Sequence, residues 1–153
     1  MKPDSNAPPM LYRWVIDQDQ GTVTETQLDE RVVDFARVCD TVVGLPYRYG
    51  YTAAFAPGGP VAAGFMKYDL EKDSSEYHDL KGGQGSEAVF VKDPEGTAED
   101  DGWVLSYVYQ PEVNRSEVII LDSRHFEGEP VARIRLPDRV PAGFHGNWVP
   151  DGY

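Results

Sequence analysis

The sequence predicts an all-β, antiparallel fold, and three of its features support that prediction. Short runs rich in β-branched and aromatic residues recur at close spacing along the chain. Turn-forming glycines and prolines, 15 and 12 in number, separate these runs. The 153 residues, 41% of them hydrophobic and 12% aromatic, suffice for a folded core. Short strands with frequent turns are typical of a sandwich, a barrel or a propeller.

Most of the strands are predicted as neighbouring pairs joined by a turn. In chain order the pairs are Leu11–Ile16 with Thr22–Leu28 across Asp17–Gly21, Tyr47–Phe55 with Val61–Leu70 across Pro57–Pro60, Glu76–Leu80 and Ala88–Lys92 on either side of the glycine-rich Lys81–Gly85, and Trp103–Gln110 with Glu117–Asp122 across Pro111–Ser116. A last strand is predicted at Val131–Leu136. Propeller blades have about four strands each, so if the fold is a propeller the chain holds roughly two blades and is a piece of a longer protein.

The segment Asp29–Val38 is ambiguous by periodicity alone. Its apolar residues fit one face of a helix, but Val33, Phe35 and Arg37 also alternate as they would in a strand. Both interpretations stay open at this level.

Charge and cysteine content limit the partners and the compartment. A net charge of −12 argues against nucleic acid and against docking on anionic lipid by charge alone. No apolar run approaches the ~20 residues of a membrane span, and the start of the chain has no apolar core of a signal peptide. We expect residues 1–10 to be a disordered or linker N-terminus and residues 11–153 to form the domain. Cys39 is the single cysteine, which predicts a reducing, cytoplasmic location.

The segment LPDRVPAGFHGNWVP, Leu136 to Pro150, places the last of three histidines, His145, among prolines and glycines. A terminal segment usually tolerates change, so this concentration of special residues predicts a chemical role for the imidazole. A single histidine is more often structural than a metal ligand, and neither His78 nor His125 has ligand spacing to it. A metal at His145 therefore needs ligands from far away in sequence or from outside this chain.

Two other stretches are interpreted as ordinary turns. The acidic stretch from Asp93 to Gly102 lacks the alternating ligands and the closing glutamate of an EF-hand loop. The glycine-rich Gly82–Gly85 lacks the Lys-Ser/Thr pair that follows a phosphate-binding loop.

Glu87 is the acidic residue with the strongest functional signal. It precedes the apolar run Ala88–Val91, which would carry its carboxylate inward. A buried carboxylate is costly unless it is paired. The structural interpretation is an ordinary glutamate at the edge of a strand. The functional one is an acceptor for the ring N–H of a metal-bound histidine.

Several motifs act together as a family signature, although none is decisive alone. They are YRYGY (Tyr47–Tyr51), MKYDL (Met66–Leu70), SEAVFV (Ser86–Val91), EDDGWVLSYVY (Glu99–Tyr109) and ARIRLPDRVPAGFHGNW (Ala132–Trp148). In combination they resemble the C-terminal third of the carotenoid oxygenase family. These are non-haem iron dioxygenases that cleave carotenoids, apocarotenoids and lignostilbenes. The resemblance runs from about Leu11 to Pro150, nearly the whole chain.

The resemblance implies a fold and a set of site residues. The fold would be roughly the last blades of a seven-bladed β-propeller, with an Fe(II) on its axis held by four histidines. The last of these lies in the family's GFHG motif, which matches His145. Glutamates support the ligands, and one of them matches Glu87. Another opens a Glu-Phe-Pro-Arg motif that reads Asp34-Phe35-Ala36-Arg37 here, so Asp34, one methylene shorter, takes its place. The match also implies that Val33–Arg37 is extended.

The implied reaction inserts both atoms of O2 across a conjugated C=C bond of a carotenoid, apocarotenoid or stilbene. It releases two carbonyl products, so the partners are an apolar conjugated alkene and O2. The other three ligand histidines would lie upstream of Met1, in a longer protein or in a complementing N-terminal fragment. We therefore expect the chain alone to be inactive. The alternative is a non-catalytic, propeller-derived module that binds a ligand or another protein. Membrane association stays open, because carotenoid substrates dissolve in lipid.

Overall fold

Eleven β-strands and two short 3-10 helices form residues 7–151, the part of the chain that the computed structural model describes. All strand pairs are antiparallel, and these residues contain no α-helix, which confirms the predicted fold class. The strands are β1 Tyr12–Asp17, β2 Thr22–Gln27, β3 Val33–Arg37, β4 Tyr49–Phe55, β5 Ala62–Asp69, β6 Ser74–Asp79, β7 Gln84–Gly85, β8 Val89–Lys92, β9 Gly102–Gln110, β10 Arg115–Asp122 and β11 Ala132–Arg135. The 3-10 helices are Asp40–Val42 and Ser123–His125.

The strands form a separate hairpin and one nine-stranded sheet. β1 and β2 make the hairpin, and the large sheet has the order β11-β10-β9-β7-β5-β4-β3, with β6 also paired to β5 and β8 to β9. The large sheet thus contains two four-stranded groups, β3-β4-β5-β6 and β8-β9-β10-β11. The two-residue strand β7 joins them, because Gly85 pairs with Ala62 of β5 and with Val108 of β9. This arrangement agrees with the predicted pair of four-stranded blades.

The predicted pairs agree with the structure except around the glycine-rich stretch. The segments Glu76–Leu80 and Ala88–Lys92, predicted on either side of one turn, do not pair with each other: β6 pairs with β5 and β8 pairs with β9. Lys81–Gly85 is only partly a turn, since its last two residues form β7. The ambiguous segment is resolved as a strand, because Val33–Arg37 forms β3 and contains no helix.

The core cluster contains residues of both strand groups. Tyr51 of β4 stacks on Phe90 of β8 with their ring centroids 5.0 Å apart, and the ring centroid of Phe126 lies 6.2 Å from that of Tyr51. Phe65 and Ile119 are fully buried in the same cluster. Large aromatic side chains supply most of the apolar area that such a core removes from water.

The acidic stretch before β9 ties distant elements together. The Glu99 carboxylate accepts the backbone N–H groups of Arg48 and Tyr49 at the entry of β4. Asp100 binds the Nζ of Lys67 at 2.7 Å, and that buried ammonium also donates to the Ser123 carbonyl at 2.7 Å. These carboxylates therefore have structural partners, which agrees with the interpretation of the stretch as a turn.

The N-terminal prediction falls partly outside the described residues. Residues 1–6 are not among them. Beyond those, the Pro9 carbonyl accepts a hydrogen bond from the N–H of Val33 at 3.1 Å, so the chain contacts β3 at that point. Within residues 7–151, no helix has the length and apolar character needed to cross a membrane.

Candidate metal-supporting site

Glu87 lies in the connection between β7 and β8 and is the centre of the candidate site. Its residue surface is only 5% exposed, because the apolar strand β8 follows it into the core. One carboxylate oxygen, Oε2, accepts the backbone N–H of Gly146 at 2.9 Å. The other, Oε1, lies 3.4 Å from Nδ1 of His145 and 3.3 Å from the guanidinium of Arg37. Burial of the carboxylate, expected from the sequence, is therefore accompanied by three donors.

The orientation of the His145 ring follows from this contact. An ionised carboxylate only accepts hydrogen bonds, so the Nδ1–H of His145 donates to Glu87. In the tautomer that has its proton on Nδ1, the other ring nitrogen, Nε2, carries a lone pair. Within residues 7–151 no hydrogen-bond partner is found for Nε2, and the side chain is 65% exposed. The ring is thus held at one nitrogen and free at the other, which is the arrangement of a metal-binding imidazole.

The segment that carries His145 has no strand of its own after β11. Side chains hold it instead. Arg37 donates to the Gly146 carbonyl at 2.8 Å and to the Asn147 Oδ1 at 2.9 Å. Further back, the Ser116 hydroxyl accepts the N–H of Val140 at 3.0 Å. The position of His145 therefore depends on contacts with β3, β10 and the β7–β8 connection.

Phe35 of β3 supplies an aromatic wall beside the imidazole. Its ring centroid is 5.5 Å from that of His145 and 5.8 Å from that of Phe144, both in edge-to-face geometry. Phe35 has a φ of +56°, a left-handed conformation that is costly for an aromatic residue. The Asp34 carboxylate accepts the N–H of Phe35 at 2.8 Å and supports this turn of the backbone.

A β-bulge in β3 brings Arg37 to the site. Asp34 pairs with Ala53 of β4, and Arg37 pairs with Tyr51, so three steps along β3 match two steps along β4. In a regular strand, residues three apart point to opposite faces. The extra residue places Asp34 and Arg37 on the same face, and bulges commonly re-aim a side chain in this way.

The structure brings two of the three predicted site residues together. His145 and Glu87 are in contact, whereas Asp34 is exposed and, within residues 7–151, has no hydrogen bond to either of them. Arg37 is the residue that the sequence interpretation missed. Two signals could have found it, since it closes the Asp34–Arg37 motif and since a buried glutamate needs a nearby cation.

The other two histidines have structural roles. His78 is buried and donates from Nδ1 to the Phe126 carbonyl at 3.2 Å. Burial lowers the pKa of His78 below its usual value, so the ring is neutral near pH 7. His125 is exposed and contacts Asp122 at 3.1 Å. Neither lies in contact with His145.

The described residues can provide one ligand of a metal site. Within residues 7–151, no group of three or more His, Cys, Asp and Glu side chains is placed to hold a metal ion. His145 offers one oriented imidazole nitrogen, a ligand that iron accepts. An apolar groove of about 440 Å³ adjoins Glu87, and its lining includes Val89, Leu105, Ile120 and Trp148.

Comparison with known proteins identifies the family. The family model described as retinal pigment epithelial membrane protein matches residues 1–150. The chain belongs to the carotenoid cleavage oxygenase family. The carotenoid cleavage oxygenase of Mycobacterium tuberculosis is 36% identical over a gapped alignment of 155 positions that covers 97% of this chain and 30% of the relative. The apocarotenoid-15,15'-oxygenase of Synechocystis sp. is 34% identical over a gapped alignment of 149 positions that covers 95% of this chain and 30% of the relative.

A solved carotenoid cleavage oxygenase matches the fold as well. Cobalt-substituted Synechocystis apocarotenoid oxygenase superimposes with a TM-score of 0.89 at 32% identity, covering 97% of this chain and 32% of that one. The structural relatives are β-propellers, and this chain matches part of that fold. The chain spans about 30% of the length of the curated relatives named above. These findings confirm the family predicted from the motifs.

Proposed function

We propose that this chain is part of an Fe(II)-dependent dioxygenase. The enzyme cleaves a conjugated C=C bond of a carotenoid, apocarotenoid or stilbene with O2 and gives two carbonyl products. The observation that carries the proposal is the contact of His145 Nδ1 with the buried Glu87 carboxylate, because it leaves Nε2 oriented and free. Membership of the family supplies the class of reaction.

In this proposal each residue of the site has a defined task. His145 holds the iron through Nε2, and Glu87 keeps the proton on Nδ1. Asp34 acts through Phe35, whose N–H it accepts, and Phe35 packs against the imidazole. The bound iron supplies the chemistry of dioxygen. The remaining ligands come from outside these residues, from a longer form of the protein or from a complementing polypeptide.

The groove beside Glu87 supports an apolar substrate. Its surface is mainly apolar, and it lies next to the segment that carries His145. An apolar conjugated alkene gains free energy when it leaves water for such walls. We also assign the chain to the cytoplasm, a proposal that rests on its single, unpaired and buried Cys39.

A chimera tests the proposal directly. Residues 11–150 of this chain replace the matching segment of the Mycobacterium tuberculosis carotenoid cleavage oxygenase, and iron content and alkene cleavage are measured. We expect the chimera to bind iron and to cleave an apocarotenoid. His145→Ala should abolish both, whereas His125→Ala, which removes an exposed imidazole away from the site, should leave both unchanged.

The chimera also separates the two functional interpretations. A folded chimera that binds no iron would favour the non-catalytic module that binds a ligand or another protein. An active His145→Ala chimera would refute the assignment of His145 as a ligand.

A further inference from the structure

We propose that Arg37 is a positioning residue for the metal site, one that fixes the orientation of His145 through Glu87 and through the segment after His145. The proposal rests on the proposed function only where it takes His145 as a ligand. The contacts of Arg37 exist in the chain itself, so its role in orienting the ring is testable without a metal.

The guanidinium of Arg37 connects two parts of the chain that are far apart in sequence. It lies 3.3 Å from Glu87 Oε1 and donates to the Gly146 carbonyl at 2.8 Å and to Asn147 Oδ1 at 2.9 Å. Asp40 is a weaker fourth partner at 3.7 Å. The planar guanidinium offers five donors in a fixed geometry, so its contacts fix the distances between the acceptors. Arg37 therefore holds Glu87 and residues 146–147 in fixed positions relative to each other.

The first task of Arg37 is to pair with the Glu87 carboxylate. A carboxylate that is only 5% exposed requires a compensating charge, and within residues 7–151 Arg37 supplies it at 3.3 Å from Oε1. The guanidinium beside Oε1 and the Gly146 N–H at Oε2 hold the carboxylate so that Oε1 also faces Nδ1 of His145. Arg37 thus fixes the position of the oxygen that contacts the ring nitrogen.

The second task is to hold the backbone that carries His145. The neighbouring side chains of Phe144 and Trp148 are 77% and 51% exposed, so packing alone does not anchor this segment. Among the described residues, the segment has no backbone hydrogen bonds of a strand pair, and the hydrogen bonds of Arg37 to Gly146 and Asn147 hold it instead. They fix the distance between the imidazole and the Glu87 carboxylate.

Lysine should fulfil only the first task. Its ammonium is a compact point charge that cannot reproduce the fork of a guanidinium. Arg37→Lys should therefore keep a cation near Glu87 and release residues 146–147, while Arg37→Gln removes both functions. Asn147→Ala takes away one acceptor without changing β3, and it serves as the mildest variant.

Selective labelling of histidine gives a direct readout of the ring. The chain contains three histidines, so ¹⁵N-histidine gives three pairs of ring signals. His78, which is buried, and His125, which is exposed, report on the fold in the same spectrum. We propose magic-angle-spinning spectra of the metal-free 153-residue chain at pH 8, because this method does not require a monomer. Arg13→Gln, on the exposed strand β1, is the matched control for loss of an arginine.

The expected result is a change confined to His145. In the parent and in Arg13→Gln, His145 should show a protonated Nδ1. Arg37→Gln should shift it to a mixture of both tautomers, Arg37→Lys and Asn147→Ala should shift it less, and the signals of His78 and His125 should not move. Unchanged His145 signals in Arg37→Gln and Arg37→Lys would overturn the proposal. If Arg37→Gln also shifts the signals of His78, that variant has altered the fold. The His145 signals of Arg37→Lys and Asn147→Ala are then compared with those of the parent, and unchanged signals in both variants would overturn the proposal.

Iron retention by the chimera is the second readout. Arg37→Lys in the chimera should lower iron affinity by about 10-fold or more, the effect of losing support for a metal ligand. If the parent chimera holds no iron while the His145 tautomer still depends on Arg37, the iron assignment fails and the positioning role stands. If the chimera holds iron equally with and without Arg37 and the tautomer is unchanged, the positioning role fails alone.

Discussion

Replacement of Glu87 by glutamine tests the hydrogen bond on which the proposed metal site depends. Glutamine has nearly the same size but offers one carbonyl oxygen and one NH2 group in place of two acceptors. If its oxygen accepts the N–H of Gly146, the NH2 group faces Arg37 and Nδ1 of His145. Nδ1 must then accept, and the ring proton moves to Nε2, the nitrogen proposed for iron. If the amide is turned over, the bond to Gly146 is lost instead.

The size of the effect follows from the bond that is lost. A hydrogen bond to a charged group contributes about 1.5–3 kcal/mol, which corresponds to roughly 10- to 150-fold in affinity. This range agrees with the ~10- to 100-fold cost of losing a carboxylate that supports a metal ligand. We therefore expect Glu87→Gln in the chimera to lower iron affinity and cleavage rate by about 10- to 100-fold while the protein stays folded.

The assay compares iron retention under a competing chelator and the rate of alkene cleavage in three proteins. Glu117→Gln is the matched control, because Glu117 is also buried, at 7% exposure, and pairs with Arg133 at 2.6 Å away from His145. It should retain the iron affinity of the parent. Equal iron affinity and rate in Glu87→Gln and the parent would refute the role of Glu87.

Three further predictions concern stability and association. Lys67→Met leaves Asp100 without its buried partner and should lower the free energy of unfolding by about 3–5 kcal/mol in urea denaturation, whereas adding Asp100→Asn should recover part of the loss. Because burial lowers the pKa of His78, the unfolded chain binds a proton below pH ~6.5 that the folded chain does not, so the urea midpoint should fall as the pH drops from about 6.5. His78→Gln should remove most of that dependence. The 153-residue chain should self-associate in sedimentation through the open edges of β3 and β11, and a monodisperse monomer would contradict this.

The sequence predicted the parts of the fold that depend on local patterns. Alternating strands and turn residues located the hairpins, because these signals act over a few residues. The partners of β6 and β8 were not predicted. Each pairs with a neighbour in the chain, β6 with β5 and β8 with β9, so the boundary between the two strand groups falls at the glycine-rich stretch. The pairing of β7 with both β5 and β9 connects strands that are far apart in sequence, and a local pattern does not reveal it.

The residues of the candidate site were also predicted only in part. Glu87 was predicted as buried from the apolar run that follows it, and the structure places it there. Arg37 was not recognised, because regular alternation puts it on the face of Val33 and hides its relation to Asp34. The bulge between Asp34 and Arg37 changes that face, and a bulge of this kind has no marker in the residue pattern of β3. The role of Arg37 therefore becomes clear only once the structure shows its contact with Glu87.

The groups that orient His145 all lie within this chain, and this has a consequence for the proposed site. The Glu87 carboxylate, the Arg37 guanidinium and the Phe35 ring come from the β7–β8 connection and from β3, and they contact the segment that carries His145. The cost of ordering the imidazole is then met when the chain folds and not when iron binds. Pre-organised ligands bind more tightly because less conformational freedom is lost on binding. Under the proposed function, a complementing polypeptide needs to bring only its own ligands, since the ring and tautomer of His145 are already set.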